Sequence, residues 1–164
     1  MNKKCTFFEA TESIHIIPYD DSKDKTFVMS IINEHSKFLS YEFAGKPPGT
    51  TEKYLTQKNH YTFMLCKNNK PIGFINFFIK EKNNSRVGSI DLLGIDKNNQ
   101  KKGYGLLLVK YALKKLKEFD VSEVSLIVNK ENKKAQKLYE KIGFVANSKS
   151  DNLRFRFDFA SSHL

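Results

Sequence analysis

The sequence contains no tryptophan, only two cysteines and no long apolar run. Cys5 and Cys66 lack the close spacing of a metal-binding pair and can form at most one disulfide, so we expect reduced thiols. No segment approaches the ~20 consecutive apolar residues that a membrane-spanning helix requires. The N-terminal segment contains Glu9 and Glu12, so it also lacks the apolar stretch of a secretory signal. Together these absences predict a cytoplasmic protein.

Apolar and basic residues are plentiful. Of the 164 residues, 40% are hydrophobic and 13% aromatic, which is enough for a packed core and excludes a disordered chain. The length fits one domain, predicted to span residues 1–164 with its core at about 13–159. The net charge of +10 can attract nucleic acid, an anionic membrane or a phosphate-bearing small molecule. Because much of the lysine falls on the predicted solvent faces of helices, charge alone assigns no partner.

Hydrophobic periodicity predicts the element order β-α-α-β-β-β-α-β-α-β-β, a mixed α/β (α+β) layer structure. The predicted strands are 13–18, 61–67, 72–80, 87–95, 123–128, 144–147 and 153–159. The predicted helices are 22–39, with Ser22 as its N-cap, then 50–58, 104–119 and 132–142. Gly94 falls near the end of its strand, which predicts a β-bulge or a close approach to the backbone there.

A glycine-bearing segment at residues 100–105, Gln-Lys-Lys-Gly-Tyr-Gly, lies between a strand and the strongest helix. Glycine at a helix start lets a ligand approach the backbone, and the free N–H groups and the helix dipole favour an anion. The alternative is that the two glycines only shape a turn. The segment lacks the Gly-Lys-Ser/Thr ending of a Walker A loop and the three glycines of a dinucleotide-binding turn. The segment therefore predicts a site for a polyphosphate ligand other than a nucleoside triphosphate or NAD.

Two motifs identify a family resemblance. Residues 100–105 match the pattern Gln/Arg-x-x-Gly-x-Gly/Ala, and residues 132–144 match Asn-x-x-Ala-x-x-x-Tyr-x-x-x-Gly-Phe. Over residues 13–159 the chain resembles the GNAT superfamily of acyl-CoA-dependent N-acyltransferases. It departs from that family at 95–97, where Ile-Asp-Lys replaces a frequent Val-x-Pro. The resemblance implies a mostly antiparallel central sheet of about seven strands, helices on both faces, and a bulged, parted strand at the cofactor site.

The same resemblance implies acetyl-CoA as co-substrate and no metal. The backbone of residues 100–105 is expected to hold the pyrophosphate, and the strand end around Gly94 the pantetheine. A hydrogen bond from Asn132 to the cofactor is expected at the start of the following helix. The expected cofactor-binding residues are Leu93, Gly94, Ile95, Gln100, Lys101, Lys102, Gly103, Tyr104, Gly105 and Asn132.

Tyr139 and Asp91 are the expected catalytic residues. The resemblance places the Tyr139 hydroxyl at the thioester sulfur, where it can act as general acid because a thiol has a pKa of roughly 8.5 and tyrosine about 10. Without the motif, a core tyrosine is the simpler interpretation. Asp91 is the first candidate for general base. Alternatively, Asp91 is an exposed strand residue with no role, or a bound water acts as the base. Glu34, His35 and Glu42 lie in the region that shapes the acceptor side in this family.

The acceptor stays open at this stage: small amines, antibiotics, polyamines, a protein N-terminus or lysine all fit the chemistry. The four histidines show no metal spacing, and no nucleophile–His–Asp set is evident, which favours direct transfer. One alternative is toxin-like acetylation of aminoacyl-tRNA, where the basic surface would attract RNA. Another is a non-enzymatic nucleic-acid-binding module that uses the alternating arginines and phenylalanines of 153–159. A monomer and a homodimer fit equally well.

Overall fold

The computed structural model describes residues 12–35, 50–147 and 152–162. Its strands are β1 (Ile14–Pro18), β2 (His60–Lys67), β3 (Lys70–Lys82), β4 (Ser85–Ile95), β5 (Val121–Asn129), β6 (Val145–Ala146) and β7 (Asn152–Asp158). Its helices are α1 (Asp21–Glu34), α2 (Thr50–Thr56), α3 (Tyr104–Glu118) and α4 (Lys133–Ile142), with a short 3-10 helix at Lys97–Asn99. The predicted mixed α/β order is confirmed. The last predicted turn of the first helix, 36–39, and Glu42 lie outside the described residues.

The seven strands form one sheet in the order β1-β2-β3-β4-β5-β7-β6. Neighbouring strands are antiparallel except β4 and β5, which are parallel. A parallel pair needs a crossover connection, and α3 supplies it between these two strands. The predicted mostly antiparallel sheet of about seven strands is therefore confirmed. Within the described ranges, no helix is both long and apolar enough to cross a membrane.

Two cores lie on opposite faces of the sheet, because side chains alternate along each strand. Phe74 packs with α1 and α2 in one core, and its neighbour Ile75 packs with α3 in the other. The first core contains Val28, Ile31, Ile32, Leu55, Met64, Cys66, Phe74 and Leu92. The second is larger and takes Leu108, Val109, Ala112, Leu113 and Leu116 from α3 and Tyr139 from α4. The predicted placement of helices on both faces is confirmed.

Helix α1 begins one residue earlier than predicted, at Asp21. Its N-cap is Asp20, whose carboxylate accepts from the backbone N–H of Ser22 at 3.0 Å. The Ser22 hydroxyl donates to the same carboxylate oxygen at 2.6 Å, so this serine lies inside the first turn. The prediction of Ser22 as N-cap is wrong because aspartate caps a helix as well as serine does and here precedes it.

The bulge of β4 lies at Asp91. Asn76 of β3 pairs with Leu92 and the next residue, Phe77, pairs with Ile90, so Asp91 has no counterpart. The extra residue reverses the alternation of side chains. Before it, Ile90 packs in the α3 core, and after it, Leu92 packs in the α1 core.

Of the two predictions for Gly94, the bulge is wrong, because Gly94 pairs in register with Phe74, and the close approach to its backbone is confirmed. Packing explains why a glycine is found at position 94. A Cβ atom built there would lie 2.8 Å from the Phe74 ring and would also overlap the side chain of Ile31. Gly94 thus lets α1 press directly against the backbone of β4.

Candidate active site

β4 and β5 part from each other halfway along their length. Their parallel pairing runs from Arg86 opposite Val121 to Ile90 opposite Leu126 and stops there. Beyond this point β4 stays paired with β3 as far as Ile95, and β5 stays paired with β7. The separation begins at the bulged residue, Asp91. The predicted parting of these two strands is confirmed, and it leaves an unpaired strand edge on each side of the gap.

A cleft of about 650 Å³, part of it open to solvent, occupies the gap between the parted strands. It is lined by Ile31, Ile32, His35, Phe74, Asp91, Leu92, Leu93, Gly94, Ile127, Val128, Asn132, Ala135 and Tyr139. The structure therefore brings together five of the predicted site residues. Three come from β4, one from α4, and one is the N-cap of α4: Asp91, Leu93, Gly94, Tyr139 and Asn132. The remaining seven, Ile95 and residues 100–105, do not line this cleft. Ile95 is the last residue of β4, and residues 100–105 come after the short 3-10 helix that follows this end of the strand.

The segment Gln100 to Gly105, here called the glycine loop, presents backbone N–H groups at the start of α3. Gly103 is the N-cap, with φ 84° in the left-handed region, and no side chain caps this end. The first helical bond runs from the Leu107 N–H to the Gly103 carbonyl at 3.1 Å, so the amides before it have no partner within the helix. A Cβ atom on Gly103 would meet nothing within 4 Å, which means that the loop faces open space.

The other loop residues contribute charge and packing. Lys101 is exposed and has a left-handed φ of 61°, and Lys102 donates from its ammonium to the Asn98 carbonyl at 2.9 Å. Tyr104 packs against the α3 core. A Cβ atom on Gly105 would lie 3.4 Å from Leu138, an ordinary van der Waals contact between α3 and α4.

The side chain of Gln100 points back into the protein. Its Nε2 donates to the Ile95 carbonyl at 3.1 Å and lies 3.4 Å from Nε2 of His35. The predicted contact of Gln100 with the cofactor thus rests on its backbone alone. The carbonyl of Ile95, expected to face the pantetheine, already accepts this hydrogen bond.

Asn132 is the N-cap of α4. Its Oδ1 accepts from the Ala135 N–H at 3.1 Å, which fixes the side chain at the edge of the cleft. Within the described part of the chain no acceptor contacts its Nδ2, so the amide N–H groups are the part available to a ligand.

Tyr139 is both a core residue and a cleft residue. Its side chain is only 6% exposed, and its ring packs edge-on against Phe144 with centroids 5.5 Å apart. Burial raises the pKa of the Tyr139 hydroxyl above its ordinary value. The hydroxyl therefore stays protonated and can act as a hydrogen-bond donor. No described residue forms a hydrogen bond with it.

Asp91 is half-buried on the opposite wall of the cleft. The hydroxyl of Ser89 donates to its Oδ1 at 2.9 Å. The bulge lies at this residue, and Asp91 lines the gap. A carboxylate and a neutral phenol thus line one cleft, supplied by the two elements that flank the gap.

Several cleft residues were missing from the predicted site. His35 was expected only to shape the acceptor side, and Ile31, Ile32 and Phe74 were expected only in the core or not at all. The helical spacing of α1 predicts that Ile31 and Ile32 are buried, but it cannot show that a cleft lies beside them. Among the described residues, no group of histidine, cysteine, aspartate and glutamate side chains has the arrangement of a metal site.

Solved structures of acetyltransferases have a similar fold. A GNAT-family acetyltransferase from Streptococcus pneumoniae superimposes with a TM-score of 0.69 at 18% identity, covering 90% of this chain and 100% of that chain. A GNAT-family acetyltransferase from Staphylococcus aureus Mu50 gives 0.71 at 18% identity, covering 89% and 99%. The NatC complex bound to Gag peptide and CoA gives 0.73 at 21% identity, covering 90% and 99%. At these identities the likeness shows the fold.

The family itself is shown by the sequence. The model of the acetyltransferase (GNAT) family matches residues 28–144, well over half of the chain. The protein belongs to this family, which makes it an acyltransferase of the kind that uses acetyl-CoA. A comparison with curated proteins gives no match.

Proposed function

We propose that this protein, as one acetyltransferase domain, transfers the acetyl group of acetyl-CoA directly to a primary amine. One observation carries the proposal: the cleft opens where β4 and β5 part, with the Asp91 carboxylate on one wall and the protonated Tyr139 hydroxyl on the other. This arrangement suits a reaction that must accept a proton from an amine and stabilise a departing thiolate.

The glycine loop is the proposed pyrophosphate site. Its free amides and the dipole of α3 favour an anion, and the exposed ammonium groups of Lys101 and Lys102 add positive charge. The open space beside Gly103 leaves room for the phosphates.

The unpaired edge of β4 is the proposed pantetheine site. Leu93 lies beyond the last residue that pairs with β5 and lines the cleft. An extended ligand can therefore take the place of the missing strand and form main-chain hydrogen bonds. The free N–H groups of Asn132, on the other wall, are placed to bond the same ligand.

The proposed reaction needs no covalent enzyme intermediate. The amine nitrogen attacks the thioester carbonyl, the carbon–sulfur bond breaks, and the electron pair leaves with sulfur. Tyr139 donates a hydrogen bond to that sulfur as its charge develops. Because burial raises the pKa of Tyr139, stabilisation by this hydrogen bond matters more than complete proton transfer.

Asp91 is the proposed acceptor of the amine proton. An alkylamine with a pKa near 10 is only about 0.1% neutral at pH 7, so attack requires loss of a proton. A carboxylate in the cleft can hold the ammonium ion and take its proton directly or through water. Holding both reactants in one cleft also removes much of the entropic barrier.

The test is a titration with CoA by calorimetry followed by an acceptor panel with detection of free thiol. We expect CoA to bind and thiol release to depend on the added amine. Absence of heat with CoA contradicts the cofactor assignment. The panel includes small amines, aminoglycosides, polyamines and peptides with a free N-terminus. Aminoacyl-tRNA belongs in it as well, with a salt series, because RNA binding driven by charge weakens steeply as salt rises.

The non-enzymatic alternative loses its main support in the structure. It needs the aromatic side chains of β7 on an exposed face, where nucleic-acid bases could stack. Phe155 and Phe157 are instead fully buried in the α3 core. Arg156, between them, forms an ion pair with Glu123.

A further inference from the structure

The Gln100 side chain connects parts of the molecule that are far apart in sequence. Its Nε2 lies 3.1 Å from the carbonyl oxygen at the end of β4, on Ile95, and 3.4 Å from Nε2 of His35 at the end of α1. Gln100 and His35 are both half-buried, and His35 lines the cleft. One carboxamide therefore contacts both the end of β4, the strand before the glycine loop, and the end of α1.

Hydrogen-bonding rules fix the roles of these atoms. The Ile95 carbonyl can only accept, so the Gln100 atom that faces it is the amide nitrogen, which carries two hydrogens and no free acceptor site. The same nitrogen can bond His35 only if Nε2 of the imidazole accepts. A neutral imidazole with its lone pair on Nε2 carries its proton on Nδ1.

We propose that Gln100 is a positioning residue that ties α1 to the end of β4 and holds His35 as the neutral tautomer with its proton on Nδ1. The helix itself is held against β4 by packing, because Ile31 lies against Gly94, and the exposed pair of Lys97 and Glu34 at 3.9 Å adds little. The carboxamide therefore sets the orientation of the His35 ring at the cleft wall.

A consequence follows for catalysis, and it rests on the proposed function. His35 is the only imidazole among the residues lining the described cleft, so it is the obvious alternative to Asp91 as general base. With its lone pair directed at Gln100, His35 cannot take a proton from the amine. It instead offers an Nδ1–H donor.

The experiment is a long-range ¹H–¹⁵N spectrum of the histidine rings in the full-length protein at mildly alkaline pH, where imidazole is neutral. The spectrum reports which ring nitrogen carries the proton, and His35→Gln identifies the signal. We expect the Nδ1–H form in the wild type, although free imidazole side chains favour Nε2–H. Gln100→Leu removes both donors and should return His35 to Nε2–H. Gln100→Arg keeps N–H donors and should preserve the Nδ1–H form.

Lys101→Ala is the matched control, because it changes the next residue of the glycine loop and should leave the tautomer unchanged. A wild-type signal of the Nε2–H form overturns the proposal, and so does a folded Gln100→Leu variant with an unchanged signal. If that variant does not fold, the wild-type spectrum still decides. Calorimetry with CoA on the same samples keeps the two proposals separate, because a protein that fails to bind CoA can still show the Nδ1–H tautomer.

Discussion

Replacing Tyr139 by phenylalanine removes one hydroxyl and leaves a ring that is already packed in the core. The ring keeps its contacts with Phe144 and Phe155, and no described residue loses a hydrogen bond. We therefore expect the free energy of unfolding to change by less than about 1 kcal/mol, since the deleted group is not paired within the protein. CoA affinity should change less than about twofold, because the hydroxyl is assigned to the sulfur only as charge develops there.

Turnover should respond strongly. Loss of one donor to a developing anion typically lowers kcat by ~10²–10³, or about 2.7–4 kcal/mol. The assay is thiol release at saturating acetyl-CoA with an acceptor from the panel, accompanied by calorimetry and thermal unfolding. Tyr111→Phe is the matched control: Tyr111 is another helix tyrosine whose ring packs on Phe63, outside the cleft lining, and its loss should leave kcat unchanged. An unchanged kcat in Tyr139→Phe refutes the assignment.

The pH dependence provides a second check on Tyr139. Burial raises the pKa of its hydroxyl, so the protonated form persists as pH rises through 10, the ordinary value for tyrosine. We expect no loss of kcat from tyrosine ionisation up to that pH. A falling limb near pH 9 that disappears in Tyr139→Phe would show that the hydroxyl ionises more readily than its environment indicates.

Three further substitutions separate binding, packing and proton transfer. Gly103→Val places a branched residue at φ 84°, which costs ~1–2 kcal/mol of stability and should weaken CoA binding at least tenfold by calorimetry; unchanged affinity would remove the glycine loop from the cofactor site. Gly94→Ala forces a methyl group against Ile31 and Phe74, and urea unfolding should show a loss of ~1–3 kcal/mol. Asp91→Asn keeps the shape of the cleft but removes the proton acceptor, and kcat/KM for the amine should fall about tenfold or more with CoA affinity unchanged. Wild-type kcat/KM in that variant would leave water as the base.

Local signals in the sequence were sufficient for the order of elements, and the family motifs supplied the site hypothesis. Helix starts, glycine turns and hydrophobic periods are properties of neighbouring residues, so the order of elements and the glycine loop followed from them. The resemblance assigned Tyr139 to the site and a core tyrosine was the alternative; in the structure its ring is buried in the core and also lines the cleft.

The errors concern contacts between distant residues. A glycine near a strand end predicts a bulge or a close approach, and the choice depends on Ile31, which lies 63 positions earlier on another element. The actual bulge at Asp91 depends on the register between β3 and β4, which no local pattern encodes. Gln100 was predicted to hold the ligand through its backbone, and no local signal shows that its side chain meets His35 across a sequence separation of 65.

The unpaired residue of β4 also constrains the length of the gene. The extra residue at position 91 determines which face of the sheet each of the next four side chains occupies. Deleting one residue here would move Leu92 and Gly94 to the opposite face. Leu92 would then be removed from the layer that holds α1, and the helix would lose the smooth surface on which it rests. A single substitution in this strand changes one side chain, whereas an insertion or deletion changes the face of every residue after it. Alignments and grafted versions of the domain should therefore treat position 91 as fixed spacing, whichever side chain stands there.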